Sequence, residues 1–131
     1  MSRSLLATAL LVLATAWTAW AAPPPELLAG VARIAAPGVP GPLCVYGDAE
    51  PLVVGDAGGG TRLPVVATGH LGGGRVVAFG HDGYFGRATL DAGDTGRLMV
   101  NAVRWAGGRA LPRVAVVGQA DLVAWLRAEG L

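Results

Sequence analysis

The apolar positions of this chain fall into four kinds of run. From Leu5 to Ala16 they are continuous, broken only by Thr8 and Thr15. Around Glu26–Ile34, Leu27, Leu28, Val31 and Ile34 recur at helical spacing and predict a short helix. From Leu43 to Gly80 the runs are short, rich in valine and separated by glycines, which predicts strands at Leu43–Tyr46, Pro51–Val54, Leu63–Gly69 and Arg75–Gly80. His70-Leu71-Gly72-Gly73-Gly74 joins the last two as a hairpin loop. After a polar, aromatic stretch the helical period returns at Thr95–Ala106, with Asp94 as the expected N-cap and Gly107-Gly108 as the stop. Arg113–Val117 predicts a last strand, and Gln119–Glu129 a last helix closed by Gly130 and Leu131.

Val65, Val66, Val76, Val77, Ala78 and Phe79 do not alternate with polar residues. Strands apolar on both sides must be covered on both sides, so the hairpin is expected at the centre of a layered fold. The fold class read from this pattern is a small layered α/β domain. It has a central apolar β-hairpin, flanking helices and a C-terminal strand–helix unit.

The first run changes the picture of the whole chain. Arg3, the apolar core and Ala19-Trp20-Ala21 have the order of an export signal with its peptidase site, and Pro23-Pro24-Pro25 ends any helix. Residues 1–21 read as a cleaved signal peptide, 22–25 as a proline-rich spacer and 26–131 as a single α/β domain. An uncleaved anchor is the competing reading, since Ser4–Pro25 carries no charge. Cleavage places the protein outside the cytoplasm, secreted or periplasmic, with no membrane span left in the mature chain.

Charge and inventory then exclude several functions. The chain has ten basic and nine acidic side chains, and Arg3 leaves with the signal, so the mature domain is neutral. That gives no electrostatic reason to bind nucleic acid. Both serines lie in the signal, and Cys44 is the single cysteine, read as a small buried strand residue. No nucleophile–base pair is legible, so no catalytic residue is assigned. The loop Gly55–Thr61 has glycines spaced as in a phosphate loop, but no lysine exists in the chain and a strand follows it, so it reads as an inter-strand turn. The two histidines, His70 and His81, sit at opposite ends of one strand, on the order of 20 Å apart at about 3.3 Å per residue. Neither a metal site nor a cofactor site is expected.

One segment combines chemistry with a favourable place. Gly80–Gly86 carries His81, Asp82, Tyr84 and Phe85 at the C-terminal end of an apolar strand, where layered α/β folds put ligands. These four are the candidate ligand- or partner-binding residues. The competing reading is structural: His81 and Asp82 bind the backbone while Tyr84 and Phe85 plug the core.

The string Gly72-Gly-Gly-Arg-Val-Val-Ala-Phe-Gly-His-Asp-Gly-Tyr-Phe85, followed by Leu98-Met-Val-Asn-Ala-Val-Arg-Trp105, resembles the N-terminal region of the TCAF proteins, the channel-associated factors of animals. It is similar also to bacterial proteins that carry an enhancin-like zinc peptidase domain. Leu43–Ala49 before Pro51–Val54, and Arg113–Val116 with Leu126–Leu131, extend the resemblance over residues 26–131. The resemblance implies a fold like the class I glutamine amidotransferases, present as its front piece only and therefore incomplete. The His-Glu-x-x-His peptidase motif is absent, and the Cys-His-Glu amidotransferase triad is not recognisable. The expected function is that of an exported, non-catalytic accessory or binding module for a protein, peptide or glycan. The alternatives are a remnant of a hydrolase- or amidotransferase-like enzyme using His81 and Asp82, and a truncated gene product without independent function. Arg113–Val117 has no later strand to pair with, so self-association through this C-terminal strand is also expected.

Overall fold

A computed structural model describes residues 22–38 and 41–131; the signal peptide expected at 1–21 lies outside the described residues. Three strands, β1 (Glu50–Asp56), β2 (Arg62–Leu71) and β3 (Gly74–Phe79), form one antiparallel sheet in that order. Three helices follow: α1 (Arg87–Leu90), α2 (Thr95–Gly107) and α3 (Ala120–Ala128). The chain is thus a small mixed α/β domain built on a hairpin with flanking helices, the class expected from its pattern.

The hairpin closes on a two-residue turn, with Leu71 paired to Gly74. Gly72 takes a positive φ of 58° and Gly73 does not, the arrangement of a type II′ turn, whose twist suits antiparallel strands. On one side of the sheet Val66, fully buried, packs with Val77 and Phe79 against Leu98, Ala102 and Trp105 of α2. The helical period is realised here: the buried positions of α2 include Leu98, Met99, Ala102 and Trp105, and Gly108 ends the helix in the left-handed conformation at φ 65°. A second cluster joins Leu90, Met99 and Val100 to Trp125 and Leu126 of α3. That last helix ends as expected, with Leu131 N–H donating to the Leu126 carbonyl at 2.9 Å and Gly130 N–H to the Arg127 carbonyl at 3.2 Å.

Several sequence expectations are corrected. Residues 25–30 form turns, with Leu27 N–H bonded to the Pro24 carbonyl and Val31 N–H to that of Leu28, and Ile34 makes an isolated bridge to Gly93. Leu27 is nevertheless fully buried, so the apolar stripe finds the core without a helix. A nine-residue helix is marginal by itself, and here side chains of α2 take the backbone groups instead. Asn101 Nδ2 donates to the carbonyls of Leu27 and Ala29, and Thr95 Oγ1 accepts from Ala35 N–H. Asp94, at the N-cap position, makes no side-chain bond to its own helix; its carboxylate accepts from Ala32 N–H at 2.8 Å and Arg33 N–H at 3.0 Å.

The other corrections concern strands. Leu43–Tyr46 joins no ladder, and Cys44 is exposed, not buried. Leu43 N–H does reach the Pro64 carbonyl at 2.8 Å, but a proline has no N–H to return. β3 is an edge strand with Val76 and Ala78 exposed, so the hairpin as a whole is not central; only β2 is covered on both sides, with Val65, Val66, Ala67 and Thr68 buried in succession. The helices supply a layer for one side; on the other, the irregular segment 43–49 approaches β2, with Ala49 against Gly69. Finally, Arg113–Val117 joins no sheet among the described residues, with Val116 half-buried against the α3 cluster and Val117 91 % exposed.

The Asp94 contacts carry a pH dependence. The two backbone N–H groups favour the ionised carboxylate and lower its pKa from 3.8, with the Arg97 charge adding to them. A depressed folded-state pKa contributes stability that is present above 3.8 and is lost as pH falls through the lower folded value. Asp94→Asn is therefore expected to be less stable than the parent at neutral pH, with the gap narrowing on acidification. Urea midpoints measured from pH 7 down to pH 2 test this, and a constant gap refutes it.

Candidate functional site

The loop after β3 is shaped by its histidine. His81 sits at the N-cap of a single 3₁₀ turn, Asp82–Phe85, and its Nδ1 accepts Gly83 N–H at 3.0 Å. An accepting Nδ1 assigns the neutral ring's proton to Nε2. That Nε2 is buried and has no partner among the described residues. The ring lies 4.8 Å from the Tyr84 ring, at 42°.

Tyr84 is fully buried, and its hydroxyl is likewise unpartnered among the described residues. Burial raises its pKa above 10.0. Phe79 connects this tyrosine to Phe85, with centroid distances of 5.8 Å and 5.3 Å. His81, Tyr84 and Phe85 are therefore brought together in one aromatic group at the end of the sheet, while Asp82 is exposed beside them. The structure thus gives Tyr84 a place in the core and leaves Asp82 as the loop member most open to a partner.

His70 lies in a different group. It pairs with Arg75 across the hairpin, and both side chains meet Trp105 of α2. The His70 ring stands edge-on to the indole at 5.7 Å, the Arg75 guanidinium lies 5.4 Å over it, and Arg75 Nη1 donates to the Trp105 carbonyl at 2.8 Å. Sequence reading missed this contact. Its signal was the cross-strand pairing of residues 70 and 75, which puts both side chains on the side of the sheet that receives α2. Among the described residues, no three of His, Cys, Asp and Glu come together as a metal-binding group.

Two grooves flank the sheet. One of about 340 Å³ lies between residues 28–36 and β1, with Tyr84 in its wall. The other, about 220 Å³, opens between Cys44 and Asp48 of the irregular segment and Val76 and Ala78 of β3. Around it the chain presents exposed apolar residues: Leu71 is 80 % exposed, Val76 45 % and Tyr46 84 %. Among the described residues no helix is long and apolar enough to cross a membrane. The chain matches no family model, no curated protein and no solved structure.

Proposed function

We propose that this protein is an exported, non-catalytic accessory module that binds a polypeptide through the open side and edge of its sheet. The observation that carries the reading is β3: among the described residues it pairs with β2 alone, and its outward residues Val76 and Ala78 are exposed. An unpaired strand edge presents a row of N–H and C=O groups to an extended peptide, and exposed apolar side chains beside it add area to bury. Asp82 stands at the end of this strand and is the loop residue placed to meet such a partner. The resemblance to the TCAF-type N-terminal region agrees with a binding role.

The inventory supports a role without chemistry. Cys44 is exposed and makes no hydrogen bond to a histidine among the described residues, and His81 Nδ1 is already occupied by Gly83. A nucleophile needs a base within hydrogen-bond reach and a third group to orient that base.

Two experiments test the two halves of the proposal. Exported protein is expected to begin at Ala22; N-terminal sequencing that finds Met1 retained makes the segment an anchor. A photo-crosslinking amino acid at Val76 in the exported protein is expected to capture a polypeptide, whereas one at the exposed Gly58 is not. Equal capture at both positions removes β3 as the binding edge.

A further inference from the structure

Two strand-like edges lie open in the same molecule. β3 is paired on one side only. Arg113–Val117 lies in no helix or strand, and among the described residues its backbone makes no hydrogen bond to other backbone. Backbone N–H and C=O groups that leave water find partners almost without exception, and an apolar extended segment lacking them is a template for pairing.

We propose that the mature chain forms a two-fold dimer in which Arg113–Val117 of each copy adds antiparallel to the β3 edge of the other. The inference rests on the binding role of that edge argued above, and it names a second copy as the occupant. The lengths agree, six residues in β3 against five in the segment. The sequences are alike: Arg75-Val-Val-Ala-Phe79 runs into Gly80, and Arg113-Val-Ala-Val-Val117 into Gly118, each with one arginine followed by four apolar residues.

Charge selects both direction and partner. A strand–helix–strand crossover within one chain pairs its strands in parallel, and in-register parallel pairing sets Arg75 beside Arg113, which like charges oppose. Antiparallel pairing sets Arg75 beside Val117, Val77 beside Ala115 and Arg113 beside Phe79, so each arginine faces an apolar residue. Every copy carries one donor segment and one acceptor edge, and a two-fold axis satisfies both at once. Val117, 91 % exposed, is free to meet a partner without repacking the core.

The register predicts an outcome that depends on charge sign. Light scattering of residues 22–131 over a range of concentrations is expected to show the mass of one chain rising to that of two. In this pairing Val117→Lys brings an ammonium against Arg75 and Val117→Glu a carboxylate. At low salt the lysine variant is expected to dissociate at least tenfold more readily than the glutamate variant. In a Cys44→Ala background, Ala78→Cys mixed with Val114→Cys is expected to give an inter-chain disulfide that neither variant gives alone. Equal dissociation of the two Val117 variants, or no disulfide in the mixture, overturns the register. A strict monomer overturns the dimer. If that monomer still captures a different polypeptide through Val76, the binding role stands without the dimer; if it captures none, both fall. Because Val117 is exposed, circular dichroism of its variants is expected to match the parent.

Discussion

Tyr84→Ala is expected to cost about 3–5 kcal/mol of folding stability, the range for deleting a large buried aromatic, while Tyr84→Phe is expected to be neutral or to gain up to about 1 kcal/mol. The contrast comes from the two ends of one side chain. The ring is fully buried and shares the core with Leu27, Val66 and Leu98. The hydroxyl has no hydrogen-bond partner among the described residues, so it carries a desolvation cost that phenylalanine removes. For a domain with a total stability of roughly 5–15 kcal/mol, the alanine variant is mostly unfolded or close to it. Urea unfolding of both variants decides the matter. A phenylalanine variant as damaged as the alanine one means the hydroxyl is bonded, and the aromatic group then has a polar function to explain. The raised Tyr84 pKa gives an independent check. Stability tied to the neutral phenol is fully present below pH 10.0 and is lost as pH rises through the higher folded value. Tyr84→Phe is therefore expected to flatten the alkaline limb of the stability profile.

Gly96→Ala is expected to destabilise the fold by about 1–3 kcal/mol, the usual cost of overpacking. In an exposed helix the same change gains about 1 kcal/mol, because alanine is the better helix former. The packing around Gly96 reverses the sign. A Cβ there lies 2.7 Å from the Leu90 carbonyl oxygen and also strikes the Trp125 ring. The carbonyl belongs to α1 and cannot rotate away as a side-chain tip could. Trp125 is buried among Leu90, Met99 and Leu126, so its indole has little space to retreat into. Gly96 is thus a point where both α1 and α3 press against α2, and a side chain there pushes on the second cluster. A lowered midpoint in thermal unfolding is the expected result; a raised one means that α3 docks loosely on α2.

The two substitutions also separate two sources of order. Tyr84 reports on the cluster between the sheet and α2, Gly96 on the docking of α3. The Arg113–Val117 segment leads into α3 and contributes Val116 to the same cluster, so loosening α3 is expected to free this segment as well.

Local chemistry alone specified much of this protein. The hairpin was legible because valine-rich runs flank a glycine turn, and both strand direction and turn follow from that pattern. The buried side and left-handed end of α2, and the Gly130–Leu131 closure of α3, follow from helical period and from the conformational freedom of glycine. The exposed loop over residues 57–61 was equally readable as a turn. In each case the interactions lie within a few residues of one another.

What only the tertiary structure decided involves partners distant in the chain. Residues 26–34 have a helical stripe, yet Asp94 and Asn101, more than sixty residues away, take backbone groups of this segment, and it forms turns over 25–30 instead of a helix. The apolar character of β3 and of Arg113–Val117 pointed to burial on all sides, but burial depends on how many layers exist to cover a strand. The helices line one side of the sheet here, so Val76, Ala78 and Val117 stay exposed. His81, Tyr84 and Phe85 were visible as a group because they are adjacent in sequence. Which of them faces the core was not, because a loop's side-chain directions are set by what packs against it. The sequence pattern determined which segments can form strands and helices; the number and placement of the layers determined which of them are buried, paired or left open to bind.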